Sequence, residues 1–185
     1  MEGIVRHHLS NHLTKNGLIS AEQHGFVPGK ACVTNLLKTF EYLTKKISMK
    51  KAINIVFLDF AKAFDKVSHR RLLYKLEAYG ICGNVLKWIL AFLSNRVQRV
   101  VLGEFMSNWS KVTSGVPQGL VLGPTLFLIF VNDLPSVFKN KCKLYADDCK
   151  IMATVDSIEE RNELQDDINS AVKWSEAWLM ELNVR

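Results

Sequence analysis

Hydrophobic residues recur every three or four positions along much of the chain, the spacing that places them on one face of an amphipathic α-helix. Ser157 followed by Glu160 matches a capping box that opens the last of these segments. Pro124 suits a first helical position, and Pro135 is expected to interrupt the last turn of the same segment. The pattern predicts helices over residues 2–16, 33–47, 68–79, 85–92, 124–138 and 157–179.

Other stretches carry the β-branched and aromatic residues that favour strands. Ile53–Phe60 is almost continuously apolar, which predicts a central strand buried on both faces. Residues 96–102 and 105–112 predict two strands joined by a two-residue turn. Two loops punctuated by Gly and Pro, Gln23–Lys30 and Gly115–Gly119, lie between these elements, and the glycines of the first permit close approach of the backbone to another group.

Two adjacent acids, Asp147 and Asp148, stand between short apolar flanks. Asp tolerates turn geometry while the flanks suit strands, so this stretch predicts a tight β-hairpin with both acids at its turn. Neighbouring carboxylates repel each other, and the commonest functional counter-charge is a divalent metal with oxygen ligands. A solvated Asp-Asp turn is the alternative that this stretch alone leaves open.

A third acid, Asp59, lies at the end of the predicted apolar strand. A carboxylate there is costly unless it is paired or bound to a metal, although capping the following turn is a structural alternative. If this strand and the acidic hairpin pair in one sheet, the carboxylates converge. Such a cluster binds two Mg²⁺ ions about 3.5–4 Å apart and serves in-line displacement at phosphorus.

Composition narrows the class of protein and its partners. The 185 residues are 48% hydrophobic and 23% charged, the balance of one globular domain with a core. A net charge of +6 favours an anionic partner, nucleic acid before a membrane surface. The four cysteines show no CxxC spacing, which predicts reduced thiols in an intracellular protein of the cytoplasm or nucleus.

No membrane association or secretion is expected. The longest apolar run, residues 120–131, contains Gly123 and Pro124 and is too short to span a bilayer. No signal peptide is recognisable, because His7 and His8 precede any apolar region.

Four segments in a fixed order resemble the motifs of one enzyme family. Val56–Val67 resembles the first palm motif of reverse transcriptases, Gly115–Pro124 the second and Tyr145–Asp148 the third. Gln23–Lys30 resembles the fingers motif of the non-LTR retrotransposon branch. The amino-acid sequence of the whole chain is similar to jockey- and LINE-type elements. Tyr-x-Asp-Asp alone would be a weak signal, whereas four motifs in order across essentially the whole chain are specific.

The resemblance implies an α+β fold. It is a right-hand polymerase palm, an antiparallel sheet that carries the Tyr-Ala-Asp-Asp hairpin and is packed by helices, together with part of the fingers. It implies one domain over residues 1–185, with about 1–52 in the fingers and about 53–185 mainly in the palm. An upstream fingers segment is expected to be absent because the chain begins just after it, and the thumb is expected to be absent because the chain stops at Leu182–Arg185 where related proteins continue.

The same resemblance assigns metal-binding and catalytic roles to three acids. Asp59 and Asp147 would be the principal ligands of two Mg²⁺ ions, with Mn²⁺ as an alternative, and Asp148 would support them. We therefore expect the Asp59 and Asp147 carboxylates on neighbouring strands, within about one metal-bridging distance. Asp65, equally prominent in the bare sequence, is expected to be a structural hydrogen-bonding residue.

Four further residues are assigned to substrate binding by the resemblance. Phe64 lies at the steric-gate position, where a ring would crowd a ribose 2′-hydroxyl; without the motif it would be read as a core residue. Gln118 would lie against the incoming nucleotide and template, with Gly119 allowing close approach. Lys30 would contact phosphate from the fingers. Phe64 and Gln118 are expected to face the same cleft as the acids.

The function implied is RNA-directed DNA polymerisation, with an RNA template, a DNA primer and dNTPs as partners. The alternative is a truncated, catalytically incompetent element remnant that at most binds nucleic acid, which the absent segments motivate. A different two-metal enzyme, such as a nuclease, is a third reading, and it leaves Phe64 and the Gln118 loop unexplained.

Overall fold

The computed structural model describes residues 1–183, so the last two residues of the predicted domain, Val184 and Arg185, lie outside the described range. The helices are α1 (Glu2–Lys15), α2 (Cys32–Ser48), α3 (Ala63–Lys66), α4 (His69–Ala78), α5 (Gly83–Leu93), α6 (Gly123–Val131) and α7 (Ile158–Trp178). The strands are β1 (Ile53–Leu58), β2 (Val97–Gln98), β3 (Val101–Leu102), β4 (Phe105–Met106), β5 (Ser110–Lys111), β6 (Lys141–Tyr145) and β7 (Asp148–Thr154).

The main sheet has three antiparallel strands in the order β1-β7-β6. Residues 53–58 of β1 pair with residues 154–149 of β7, and β6 and β7 form a hairpin whose last pair is Tyr145 with Asp148. The prediction that the apolar strand and the acidic hairpin share one sheet is therefore confirmed.

The prediction that β1 is a central strand buried on both faces is wrong. β1 lies at an edge of the sheet, and Phe57 on its outer face is 75% exposed. Val56 and Leu58 on the opposite face pack against the core. The apolar content of β1 therefore reflects one packed face and one open apolar face, a pattern that composition alone does not distinguish from double burial.

The core lies between the sheet and the helices, and α6 is its centre. Every residue of α6 except Pro124 is buried, including Leu126, Phe127 and Phe130, as expected for a helix that is apolar on all sides. Each such side chain contributes about 1.5–3 kcal/mol by leaving water. The sheet contributes Cys149 and Ile151 of β7 to the same cluster.

The predicted helix 124–138 is shorter than expected. α6 ends at Val131, and Leu134–Val137 form a separate 3₁₀ turn. Pro135 lies in the first turn of that 3₁₀ segment, where its missing N–H is tolerated, and it disfavours helical geometry at Leu134.

α2 packs against β6 with a polar face rather than with its apolar stripe. Its buried residues are Asn35 and Thr39, and Asn35 Nδ2 donates to the Leu144 carbonyl oxygen at 2.9 Å. The residues of the stripe are exposed or half-buried: Val33, Leu36, Leu37, Phe40, Leu43 and Ile47. The helical spacing of the stripe identified α2 correctly but not the face that it buries.

Two other local predictions are confirmed. β2 pairs with β5 and β3 pairs with β4, which together form the expected hairpin between residues 97 and 111. At the start of α7, Ser157 Oγ accepts from the Glu160 N–H at 3.2 Å and Glu160 Oε2 accepts from the Ser157 N–H at 3.3 Å. None of the helices within residues 1–183 has the length and apolar character that a bilayer crossing needs.

Candidate active site

Three acids gather where β1 and β7 meet. Asp59 follows Leu58, the last residue of β1, which pairs with Cys149 of β7. Asp148 precedes Cys149, so the sheet register places it beside Asp59 on the neighbouring strand. Asp147 lies in the two-residue turn between β6 and β7. The prediction that both acids of the pair occupy the turn is corrected for Asp148, which is the first residue of β7.

The pKa of Asp148 reflects its burial and the negative charge of the two neighbouring acids. The pKa of Asp148 is raised above its ordinary value, first by burial and then by the negative charges of Asp147 and Asp59, against a smaller lowering effect of Lys150. Like charges at this range disfavour the ionised form. A bound cation would remove that penalty, so the electrostatics fit a divalent metal with carboxylate ligands.

The carboxylates do not form a ready-made cage. Within residues 1–183, no three His, Cys, Asp or Glu side chains are grouped closely enough to hold a metal ion. Asp59 Oδ2 instead accepts from Asn183 Nδ2 at 2.9 Å, and the Asn183 N–H donates to the Asp59 carbonyl oxygen at 2.8 Å. Because Mg²⁺ needs only one or two carboxylates when phosphates and water complete its shell, the donor set still fits. The bridging distance between Asp59 and Asp147 stays a prediction.

A cavity of about 330 Å³ opens beside Asp59 and Asp148, between the outer face of the sheet and α2. Two lysines on its wall supply positive charge: Lys143 is paired with the Glu22 carboxylate, and Lys150 is half-buried with a pKa lowered chiefly by burial. Its lining residues are Cys32, Asn35, Leu36, Phe57, Leu58, Asp59, Lys143, Tyr145, Asp148, Cys149 and Lys150. Since the lining includes neither Phe64 nor Gln118, a cleft shared with the acids stays a prediction.

Phe64 belongs to a cluster of three aromatic rings. Its ring lies parallel to that of Phe127, with centroids 4.3 Å apart, and meets the edge of Phe26 at 6.3 Å. The side chain is half-buried, and the Phe64 carbonyl oxygen accepts from the Val116 N–H at 2.9 Å. Packing thus fixes the orientation of the ring, and its proposed contact with a ribose remains a prediction.

The Gln118 loop is docked onto the turn that contains Phe64. The Gly115 N–H donates to the Val67 carbonyl oxygen at 2.8 Å, and Arg96 donates to the Gly115 carbonyl oxygen at 2.9 Å. Gly115 has φ +88°, and a Cβ there would lie 2.9 Å from the Asp65 backbone. Gln118 is exposed at the end of this fixed loop.

Replacing Gly115 by alanine is expected to destabilise the fold by about 2–3 kcal/mol, because a Cβ adds both left-handed strain and a backbone collision. Gly119→Ala is the matched control. Gly119 has φ +76° but no atom within 4 Å of its Cβ position, so only strain of about 1 kcal/mol applies. Urea unfolding of both variants measures the difference, and equal losses would contradict the collision.

Lys30 holds the Gln23–Lys30 loop together. Its Nζ donates to the carbonyl oxygens of Ala21 and Gln23, each at 2.8 Å. Burial, followed by the charge of Lys143, lowers its pKa. Two of its three N–H donors are therefore committed to backbone, and the predicted phosphate contact stays a prediction.

Sequence reasoning assigned no role to two residues that contact the acidic segments. Asn183 donates to Asp59, and the buried Gln23 hydrogen-bonds to Ala146 in the acidic turn. The glycines around Gln23 were the available signal. A Cβ on Gly25 would lie 2.3 Å from the Ala146 nitrogen, which is the close backbone approach predicted for this loop.

A small antiparallel sheet with an aspartate after its edge strand, an acidic hairpin beside it and helices behind it defines the palm of a right-hand polymerase. The family model for reverse transcriptases (RNA-dependent DNA polymerases) matches residues 1–185, and the chain belongs to this family. The match confirms the family that the four motifs predict. Members of the family generally depend on a divalent metal.

Several relatives are polymerases of mobile elements. The chain is 26% identical over 197 residues to the probable RNA-directed DNA polymerase from transposon BS of Drosophila melanogaster, covering 98% of this chain and 21% of that protein. It is 29% identical over 170 residues to the RNA-directed DNA polymerase from mobile element jockey of the same species, covering 87% of this chain and 18% of that protein. The chain thus spans about a fifth of the curated relatives that it matches.

Solved structures confirm the fold. Telomerase from Candida albicans, in complex with a fragment of telomeric RNA, superposes with a TM-score of 0.73 at 14% identity, covering 98% of this chain and 33% of that chain. Apo telomerase from Candida tropicalis gives a TM-score of 0.69 at 14% identity, covering 99% and 36%. The α+β palm-and-fingers architecture implied by the sequence is therefore confirmed.

Proposed function

We propose that this chain carries the polymerase centre of a non-LTR retrotransposon reverse transcriptase, which extends a DNA primer with dNTPs along an RNA template. The observation that carries the proposal is the gathering of Asp59, Asp147 and Asp148 where β1 and β7 meet. We assign about residues 1–52 to part of the fingers and about residues 53–185 mainly to the palm.

The reaction joins the primer 3′-oxygen to the α-phosphorus of the dNTP and breaks the bond to pyrophosphate. Asp59 and Asp147 would hold two Mg²⁺ ions, or Mn²⁺, with support from Asp148. When bound, such ions favour ionisation of the primer hydroxyl and neutralise charge on the attacking and leaving oxygens. The protein itself contributes by holding the carboxylates close together at one end of the sheet. There burial, and then the charges of Asp147 and Asp59, raise the pKa of Asp148.

The surrounding residues would orient the substrates. Phe64, held by Phe127, would stand against the sugar, and the exposed Gln118 would reach the base pair from a loop fixed at Gly115. Lys30 keeps one N–H for a phosphate oxygen. Holding the reacting groups in the correct geometry supplies a large part of the rate acceleration in such reactions. All four cysteines are free thiols, which supports the proposal that the protein works inside the cell, in the cytoplasm or nucleus.

The test is extension of an oligo(dT) primer on poly(rA) with labelled dTTP and Mg²⁺. The proposal predicts incorporation that requires the template, stops with EDTA and resumes when Mg²⁺ or Mn²⁺ is restored. Binding of primer-template without incorporation would identify a nucleic-acid-binding module instead. Cleavage of nucleic acid without nucleotides would identify a two-metal nuclease.

Phe64→Leu is expected to weaken discrimination against ribonucleotides by roughly tenfold to a hundredfold, because the shorter side chain leaves room for a 2′-hydroxyl. The measurement is the ratio of kcat/KM for dTTP to that for rUTP. Because both substrates are tested on one preparation, the ratio is unaffected by any loss of folded protein from weaker stacking on Phe127. An unchanged ratio would remove Phe64 from the sugar site.

A further inference from the structure

Gln23 is a buried amide whose polar atoms are all directed at the backbone near the acidic turn. Its side chain is only 2% exposed. Nε2 donates to the Ala146 carbonyl oxygen at 3.1 Å, and Oε1 accepts from the N–H groups of Ala146 and Gly25 at 3.0 and 2.8 Å. One side chain therefore hydrogen-bonds both polar backbone groups of Ala146.

Ala146 needs such support because its backbone is left-handed, with φ +58°. That conformation costs a residue with a Cβ about 1–2 kcal/mol. The Ala146 carbonyl belongs to the peptide plane that leads into Asp147, so the Nε2 hydrogen bond fixes the orientation of that plane. The position of Gln23 thus bears directly on the backbone from which the Asp147 side chain departs.

The loop around Gln23 is itself anchored to the hairpin. The His24 N–H donates to the Leu144 carbonyl oxygen, and the Leu144 N–H donates to the Glu22 carbonyl oxygen, each at 2.9 Å. The backbone of Gly25 approaches the turn so closely that any side chain there would collide with Ala146. Backbone hydrogen bonds of the residues before and after Gln23 therefore hold it in register with the turn.

We propose that Gln23 is a positioning residue for metal binding: by fixing the peptide plane between Ala146 and Asp147, it sets the direction of the Asp147 carboxylate. The inference rests on the proposed function, because Asp147 matters in this way only as a metal ligand. A fingers-loop residue would then control the affinity of a palm site through the backbone, without touching metal or substrate.

The test compares an isosteric apolar variant, Gln23→Met, with a conservative one, Gln23→Glu. A carboxyl group at this buried position favours its neutral form, in which one oxygen accepts from the two N–H groups and the hydroxyl donates to the Ala146 carbonyl oxygen, so Gln23→Glu is the rescue variant. The matched control is Asn132→Leu. Asn132 is another buried amide: it donates to the Leu18 carbonyl oxygen and the Tyr79 hydroxyl, accepts from the Ser20 N–H, and makes no hydrogen bond to the acidic turn.

The readouts are Mn²⁺ affinity, from the EPR signal of free Mn²⁺, together with urea unfolding and the kcat and KM of primer extension. Gln23→Met is expected to weaken Mn²⁺ binding by about tenfold to a hundredfold, the usual effect of removing a group that orients a ligand. It should lower kcat and change KM less. At high Mn²⁺ concentration kcat should recover in part. Gln23→Glu should weaken Mn²⁺ binding less than Gln23→Met does. Asn132→Leu should lower the free energy of unfolding while keeping Mn²⁺ affinity within about twofold.

Unchanged Mn²⁺ affinity in a folded Gln23→Met, or an equal loss of affinity in Asn132→Leu, would overturn the positioning role. If Gln23→Met does not fold, Gln23→Leu, a smaller apolar side chain that removes the same hydrogen bonds, decides by the same criterion. Asp147→Asn separates the two proposals. If it abolishes Mn²⁺ binding while Gln23→Met does not, only the role of Gln23 fails; if it leaves Mn²⁺ binding intact, the proposed metal site fails with it.

Discussion

Replacing Asp59 or Asp147 by asparagine is expected to reduce templated primer extension by at least about a thousandfold, equivalent to about 4 kcal/mol of transition-state stabilisation. Asparagine keeps the shape of the side chain and removes the charge that a divalent cation requires. Asp148→Asn should have a smaller effect, because its assigned role is support. Steady-state incorporation of dTTP on poly(rA) measures all three.

Asp65→Asn is the matched control. Asp65 lies six positions after Asp59 and is exposed, and its backbone carbonyl oxygen accepts from Ser114 Oγ at 2.8 Å. Its activity should therefore stay within about threefold of the unchanged protein, since an exposed substitution of this kind has little effect. Equal activity in the Asp59, Asp147 and Asp65 variants would refute the assignment of the acids.

Asp133→Ala is expected to destabilise the fold by about 3 kcal/mol or more, because it leaves a buried ammonium group without its counter-ion. Lys75 is 4% exposed, and its Nζ donates to the Asp133 carboxylate and the Phe130 carbonyl oxygen. The same Nζ lies 3.6 Å from the centroid of the Trp178 ring. Urea unfolding at neutral pH measures the loss.

Lys75→Met is the comparison, since it removes the charge together with its need for a partner and should cost less than Asp133→Ala. Burial lowers the pKa of Lys75 to about 8, against the opposing effect of Asp133. Because the unfolded chain binds this proton more tightly, the contribution of Lys75 to stability should rise as pH increases from about 8 to about 10.5. The difference between the unchanged protein and Lys75→Met should follow that rise, and a flat or falling difference would contradict it.

Periodicity and motif order were sufficient for most of the fold. The capping box at Ser157 and the hairpin between residues 97 and 111 follow from local patterns that the structure repeats, whereas the pairing of β1 with the acidic hairpin was expected only from the resemblance to reverse transcriptases. Local patterns succeed here because turn residues, caps and strand content act over a few positions. The reverse transcriptase motifs added the order in which these elements assemble.

The remaining features depend on which surfaces meet, and spacing does not encode that. α2 presents its apolar stripe outward because Asn35 and Thr39 pack against β6, and β1 is an edge strand because β7 takes the centre. Asp148 proved to start a strand because the turn closes on Ala146 and Asp147. Gln23 was not assigned a role because the glycines that follow it indicate a close backbone approach but not which segment approaches, and the partner is a turn more than a hundred positions away.

The most direct test of the proposed centre is a crystal structure of the protein with primer-template, a non-reacting dNTP analogue and Mn²⁺, read by anomalous scattering. We predict two Mn²⁺ peaks, with carboxylate oxygens of Asp59 and Asp147 at about 2.0–2.3 Å from the metal and about 3.5–4 Å between the ions. Mn²⁺ bound elsewhere on the chain, with the carboxylates of Asp59 and Asp147 free of metal, would contradict it.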